Sequence, residues 1–334
     1  TTLNEDKINW DDNFRIEKEV DVNAVNSSIT VTNDTKTTSK IKGSLTAKNL
    51  TTTGGLENHS TGTLTVSGKL HTATLTNVGK ATIGQLEASS VSNHSGGKIT
   101  VDQLEAKSVL TQADSVLTVN SGLIKGKLQN SGTVYLTSDD AKIEGTLSLA
   151  AGSVLKKNES SNLTNLEVTE EKVSIANDLK VENNLKLSSA NVTGDLIVGG
   201  TFIQSHTTTA DYTIFREGST SEIGSFVSDT GRYGFKVMSG AKLTVNTMDI
   251  SGAVDVDGGN LTIKQSASVG ALHNAGSIDA SNAKIIVTAE QVLTDDYAFT
   301  NGLHIGSDGK FDESDKANSS FVAKSLTVEG NALN

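Results

Sequence analysis

The chain has 334 residues, 35% apolar and 20% charged, with no cysteine, no proline and a formal net charge of −11. Its wealth of Ser, Thr, Asn and Gly leaves too little apolar material for one broad core of this length, so composition points to a fold that grows by repetition. Acidity without a basic stripe argues against a nucleic-acid or anionic-membrane partner, and the lack of cysteine excludes disulfides and thiol catalysis.

Residues 1–40 contain Trp10 and Phe14 but no steady beat, and are expected to be an N-terminal cap or irregular first coils. The opening TTLNEDKINW lacks the basic and apolar regions of a secretion signal, which reads as a mature or excised segment. No apolar run nears the roughly 18 residues of a membrane-spanning helix.

From 41 to 200 the beat is clear. The runs ending at Val66, Ile83, Val101, Val119 and Leu136 follow one another at 17, 18, 18 and 17 residues. A looser series, Leu70, Leu86, Leu104, Leu123 and Ile143, accompanies them. Apolar pairs two apart mark half-buried strands, and Gly, Asn and Ser between them mark turns. Three short strands every 17–20 residues describe a three-sided coil. The predicted fold is therefore all-β, a right-handed parallel β-helix whose strands pair with their equivalents one coil away. A left-handed hexapeptide solenoid ranks second, because the apolar spacings run near five, six and seven instead of a steady six. The twin stretches NHSTGTLTVSGKLHTATL (58–75) and NHSGGKITVDQLEAKSVL (93–110), 35 residues apart, then lie two coils apart. Their Asn-His-Ser corners use the tolerance of Asn and Gly for left-handed backbone.

Residues 201–236 hold six of the 13 aromatics and two of the three arginines, and read as an excursion from the solenoid, a hairpin or small subdomain. The solenoid resumes over 237–334, with Leu243/Val245 and Leu261/Ile263 again 18 apart, and an irregular segment is expected at 288–321.

Candidate sites follow from this frame. Thr65, Thr82, Thr100 and Thr118, then Tyr135, should stack on one solvent face, one per coil. Such ladders are favourable cross-strand pairs in their own right; they also make a long, flat, low-charge face able to bind through many modest contacts. In the excursion, Tyr212, Phe215, Arg216, Arg232 and Tyr233 form a second binding candidate, and Glu217 and Asp229 could join the arginines there. No metal site is expected. His59 and His94 read as solvent-exposed corner residues too far apart to share an ion, and Asp255-Val256-Asp257-Gly258-Gly259-Asn260 lacks the later ligands of a calcium loop. The adjacent pairs Asp139-Asp140, Glu170-Glu171 and Asp295-Asp296 would point to opposite faces of a strand and are poor catalytic pairs. No catalytic residue and no cofactor is assigned.

The corners "NSGTVYL" and "NAGSIDA", the Thr/Ser/Asn-rich coils and the lack of cysteine resemble the passenger region of bacterial autotransporter adhesins of the self-associating, AIDA-like type. The resemblance covers roughly residues 40–200 and 237–290. It implies a non-enzymatic domain at the bacterial cell surface or secreted, which mediates cell–cell aggregation, biofilm formation or host attachment. The partner would be another copy on a neighbouring cell, or a host receptor or glycan, with no membrane insertion of this segment. The alternative is a polysaccharide-binding or polysaccharide-cleaving β-helix of tailspike type.

Overall fold

In the computed structural model the described residues are 1–32, 37–168, 172–187, 189–204, 213–228, 233–274, 276–280, 283–287, 297–299, 303–305, 321–323 and 326–328. Among them every regular element is a strand, and the strands pair in parallel as the stacked coils of a β-solenoid. Contacts divide the chain into two units, Thr1–Leu163 and Thr164–Asn334.

In the first unit the three-sided coil is explicit. Segments 63–66, 69–72 and 74–77 pair with 80–83, 85–88 and 90–93, which pair in turn with 98–101, 103–106 and 108–111. Every second residue points inward, so Leu64, Ala81, Ile99, Leu117 and Val134 form one buried column. Each fully buried Leu, Ile or Val stabilises by about 1.5–3 kcal/mol, and the thin core is built from many of them. Backbone donors and acceptors are satisfied by the coils on either side, about 4.8 Å away.

Within residues 1–40, Lys7–Trp10 pairs with residues 28–31 and residues 15–16 pair with 40–41, so the described residues of this stretch supply coils, with Trp10 and Phe14 in ring contact at 5.1 Å. The looser apolar series slips by one residue. Leu104 faces Gly122, and it is Ile124, not Leu123, that is buried and faces Ile143. Gly122 (φ +134°) sits so close to the coil before it that a Cβ would lie 2.2 Å from the Leu104 carbonyl oxygen. That contact twists Leu123 outward, opposite Glu105.

In the second unit the described residues of 201–236, which are 201–204, 213–228 and 233–236, are strands of the solenoid, where an excursion was expected. The strand Leu196–Gln204 pairs with Thr220–Ser228, which pairs with Lys242–Asp257, while Thr213–Phe215 pairs with Tyr233–Met238. The buried side chains of Gln204 and Thr213 are bonded to each other, Thr213 Oγ1 donating to Gln204 Oε1 at 3.1 Å. Residues 205–212 and 229–232 lie outside the described residues. The 18-residue beat is found where expected, Leu243 facing Leu261 and Val245 facing Ile263. Most of 288–321 lies outside the described residues; Tyr297–Phe299 pairs in parallel with Phe321–Ala323, and Leu303–Ile305 with Leu326–Val328.

The corners hold a feature that the sequence shows only as turns. Asn58, Asn77 and Asn93 occupy one column and are fully buried. Each amide donates to the next, Asn58 Nδ2 to Asn77 Oδ1 and Asn77 Nδ2 to Asn93 Oδ1, both at 2.8 Å. Asn93 Nδ2 donates to the carbonyls of Val116 (2.9 Å) and Gly97 (3.2 Å). The glycine that precedes the next strand makes room: a Cβ on Gly62 or Gly97 would lie 2.2 or 2.4 Å from the Oδ1 of Asn58 or Asn93. At the next rung Thr111 replaces Asn and Ser115 replaces that glycine, and the Thr111 hydroxyl finds no partner.

Thr111→Asn alone should therefore destabilise by about 1–3 kcal/mol through overpacking against Ser115. Ser115→Gly alone loses a buried hydroxyl that donates to the carbonyls of Gln112 and Asn93. The double variant should recover most of both losses, because Asn at 111 would join Asn93 to Asn130. Urea unfolding of the four proteins measures the coupling; additive losses would refute the pairing of Asn with Gly.

Candidate functional site

The predicted threonine ladder stands in register. Thr65 faces Thr82, Thr82 faces Thr100, Thr100 faces Thr118 and Thr118 faces Tyr135. It extends a coil further each way, to Thr46 and to Lys156. Thr82 and Thr100 are exposed, and Thr65, Thr118 and Tyr135 are half-buried. Desolvation, with the Glu159 carboxylate adding to it, raises the pKa of Tyr135, so the phenol stays a neutral hydrogen-bonding group. The neighbouring outward column on this side is Thr63, Lys80, Lys98, Val116 and Thr133, which makes the face polar with two adjacent ammonium groups.

The other two sides differ in chemistry. The third side carries Thr74, Ser90 and Ser108 in one outward column and Thr76, Ser92 and Leu110 in the next. Those rungs bear no charge. The second side is charged: His71, Glu87 and Glu105 stand in one column, with Lys69, Gln85 and Gln103 beside them. Lys69 Nζ pairs with Glu87 Oε2, His71 Nδ1 lies 3.4 Å from the same oxygen, and Lys125 Nζ lies 2.5 Å from Glu105 Oε1. The hydrogen bond from Lys69 is the main reason that the Glu87 carboxyl titrates below its usual range, with His71 assisting against partial desolvation. The bond that Lys125 donates to Glu105 likewise raises the pKa of Lys125.

Where the second side turns into the third, a groove of 560 Å³ runs across successive coils. Its floor is the small-residue column Thr52, Thr72, Ala88 and Ala106; His71, Glu87 and Glu105 form one wall, Ala73, Ser89 and Lys107 the other, and Lys125 lies at its end. The sequence reading passed over this site, although QLEA at 85–88 and 103–106 repeats on the same 18-residue beat and signals two coils with matching side chains.

No protein-family model, no curated protein and no solved structure matches the chain.

Of the aromatic candidate, Phe215 belongs to the core. Phe215 is fully buried, and so are Phe202, Phe226 and Phe235. Phe226 stacks between Phe202 (4.5 Å) and Phe235 (4.9 Å), and Phe215 meets Phe235 edge-on at 6.0 Å. Buried rings cannot meet a ligand, so Phe215 is a packing residue. Arg216 is exposed and donates through Nε to Asn191 Oδ1 one coil away, and Glu217 lies on the adjoining turn. Tyr233 opens a strand in register with Ala253. Tyr212, Asp229 and Arg232 lie outside the described residues, as do Glu170, Glu171, Asp295 and Asp296.

The corner histidines are half-buried, not exposed, and His59 Nε2 lies 3.0 Å from Glu57 Oε1. Asp255 and Asp257 end the strand Lys242–Asp257, and Gly258 (φ +76°) turns the corner after them. They belong to the solenoid backbone path.

Proposed function

We propose that this chain is a non-enzymatic adhesive domain, displayed on a bacterial cell surface or secreted, that joins cells or attaches to a host through an extended side of its solenoid. The observation that carries the reading is the Thr65–Thr82–Thr100–Thr118 ladder, continued by Tyr135, in register on one polar side. A rigid β-face that repeats one hydroxyl per coil makes weak contacts additive, provided that geometry lets them engage together. Self-association between copies is the simplest partner for such a face, and a host receptor or glycan is the other. The resemblance of the corners to autotransporter adhesins supports the same reading. A general acid needs a raised pKa, and Glu87 in the groove, lowered by the bond from Lys69, is unsuited to that role.

Sedimentation of the purified protein across concentration and salt tests this. The wild type should associate reversibly, and Thr65→Lys with Thr100→Lys, on alternate rungs so that new charges do not stack on adjacent coils, should abolish association while circular dichroism stays unchanged. A wild type that remains monomeric at every concentration would remove self-association and leave a foreign ligand as the partner.

A further inference from the structure

We infer that the groove at the corner of the second and third sides binds a linear, neutral polysaccharide, laid along the solenoid axis with about one sugar per coil. This site lies on a different side from the threonine ladder, and the inference stands whether or not that ladder self-associates.

Three observations lead to it. First, the groove is axial and periodic. Its floor steps from Thr52 to Thr72, Ala88 and Ala106, one small residue per coil, and its wall steps from Thr51 to His71, Glu87 and Glu105 in the same register. The 560 Å³ volume falls within the usual range for ligand sites.

Second, the pitch selects the ligand. Coils repeat at about 4.8 Å, close to the length of one pyranose in an extended glycan, so each sugar would lie over one coil, and alternate sugars of a β-1,4 chain would present the same edge to the wall. An extended peptide rises about 3.3 Å per residue and returns a side chain to the same face only every second residue; it falls out of step with the wall. The groove also offers no unpaired strand edge for β-augmentation, because the segments 69–72, 85–88 and 103–106 are paired to one another coil by coil.

Third, the charges cancel. Glu87 and Glu105 are balanced by Lys107 and Lys125 among the lining residues. A polyanion would meet the two carboxylates and a polycation the two ammonium groups. A neutral polyol loses nothing to either. It can donate its hydroxyl protons to carboxylate oxygens and accept from ammonium, imidazole and threonine groups, which is the mixture of donors and acceptors that the walls present.

Calorimetric titration of the whole chain with cellotetraose and N-acetylchitotetraose, set against the corresponding disaccharides and tetragalacturonate, tests the inference. At least one neutral tetramer should bind with a millimolar or tighter Kd and at least tenfold more tightly than its disaccharide, since added sugars engage added coils. Tetragalacturonate should bind at least tenfold more weakly than that tetramer. Ser89→Trp, an exposed wall position, should fill the groove and abolish binding without touching the core. The Thr65→Lys, Thr100→Lys protein, altered on another side, should bind like wild type. No heat with either neutral tetramer, no gain with chain length, preference for the acidic chain, or undiminished binding by Ser89→Trp would each overturn it.

Discussion

Phe226→Ala should cost the second unit about 3–5 kcal/mol of stability, the usual range for deleting a fully buried aromatic ring. Phe226 is completely excluded from solvent and lies between two other rings, Phe202 at 4.5 Å and Phe235 at 4.9 Å. The column it belongs to runs from Leu185 through Phe202 and Phe226 to Met248 and Ala267. Removing the ring leaves a cavity that the hydrogen-bonded coils on either side resist closing, because each strand is fixed to its neighbours by parallel pairing. Denaturant unfolding followed by circular dichroism measures the loss. In a solenoid the energy of one coil is shared mainly with its nearest neighbours, so the transition assigned to the second unit should shift while that of the first stays in place. A loss below about 1 kcal/mol, the ordinary size for a surface position, would mean that this aromatic stretch projects from the solenoid as a separate element.

Asn77→Asp should be the more informative change, because its cost depends on pH. Asn77 is fully buried; its Oδ1 accepts from Asn58, and its Nδ2 donates to Asn93 Oδ1 at 2.8 Å and to the Gly79 carbonyl at 3.0 Å. Aspartate has the same shape, yet it turns a donor into an acceptor aimed at two oxygens. The ionised carboxylate would be buried with no cation beside it, and burial raises the folded-state pKa above the unfolded value of about 3.9. An acid whose pKa rises on folding is protonated more readily in the native state. Its stability relative to wild type is therefore greatest below the unfolded pKa, falls as pH rises through the interval up to the folded pKa, and is level above it. At neutral pH the loss should reach about 3–5 kcal/mol, as for other uncompensated buried charges. In acid the protonated carboxyl can donate one of the two lost bonds, and part of the loss should return. Asn77→Ala provides the comparison: it leaves buried partners unsatisfied, at about 1–3 kcal/mol each, with no dependence on pH. Urea unfolding of both variants at neutral and acid pH, referred to wild type, gives the answer. An equal loss for Asn77→Asp at the two pH values would contradict the ladder.

Both predictions rest on residues whose type was plain in the sequence and whose placement was not. Phe215, Phe226 and Phe235 break the lean aliphatic rhythm of the preceding coils, and clustered with arginines they read as a binding excursion. Packing overrides that reading, since Phe202 and Phe226 stack in one column and Phe215 and Phe235 meet them from neighbouring columns inside the core, where other coils use Leu and Val. Asn58 and Asn93 read as corner residues and Asn77 went unremarked, but a corner asparagine can face solvent or turn inward. Its burial requires an identical amide one coil away and a glycine that leaves room for it, both of which are relations across coils. Leu123 illustrates a smaller error. Counting along the chain placed it in the buried series, whereas the close approach of Gly122 to Leu104 moves that role to Ile124.

The groove was hidden for a related reason. Carboxylates consecutive in sequence point to opposite sides of a strand, so adjacency along the chain does not mark it. Glu87 and Glu105 are neighbours only because an 18-residue coil returns the chain to the same place. Their lysine and histidine partners likewise come from other coils.

The amino-acid sequence by itself determined the strands, the three-sided coil, its 17–18-residue step and the register of the threonine ladder, because alternation and spacing are local properties repeated many times over. Only the tertiary structure decided which polar residues turn inward, which aromatics become core and which charged groups meet in a groove, because each of those outcomes depends on what the next coil places about 4.8 Å away.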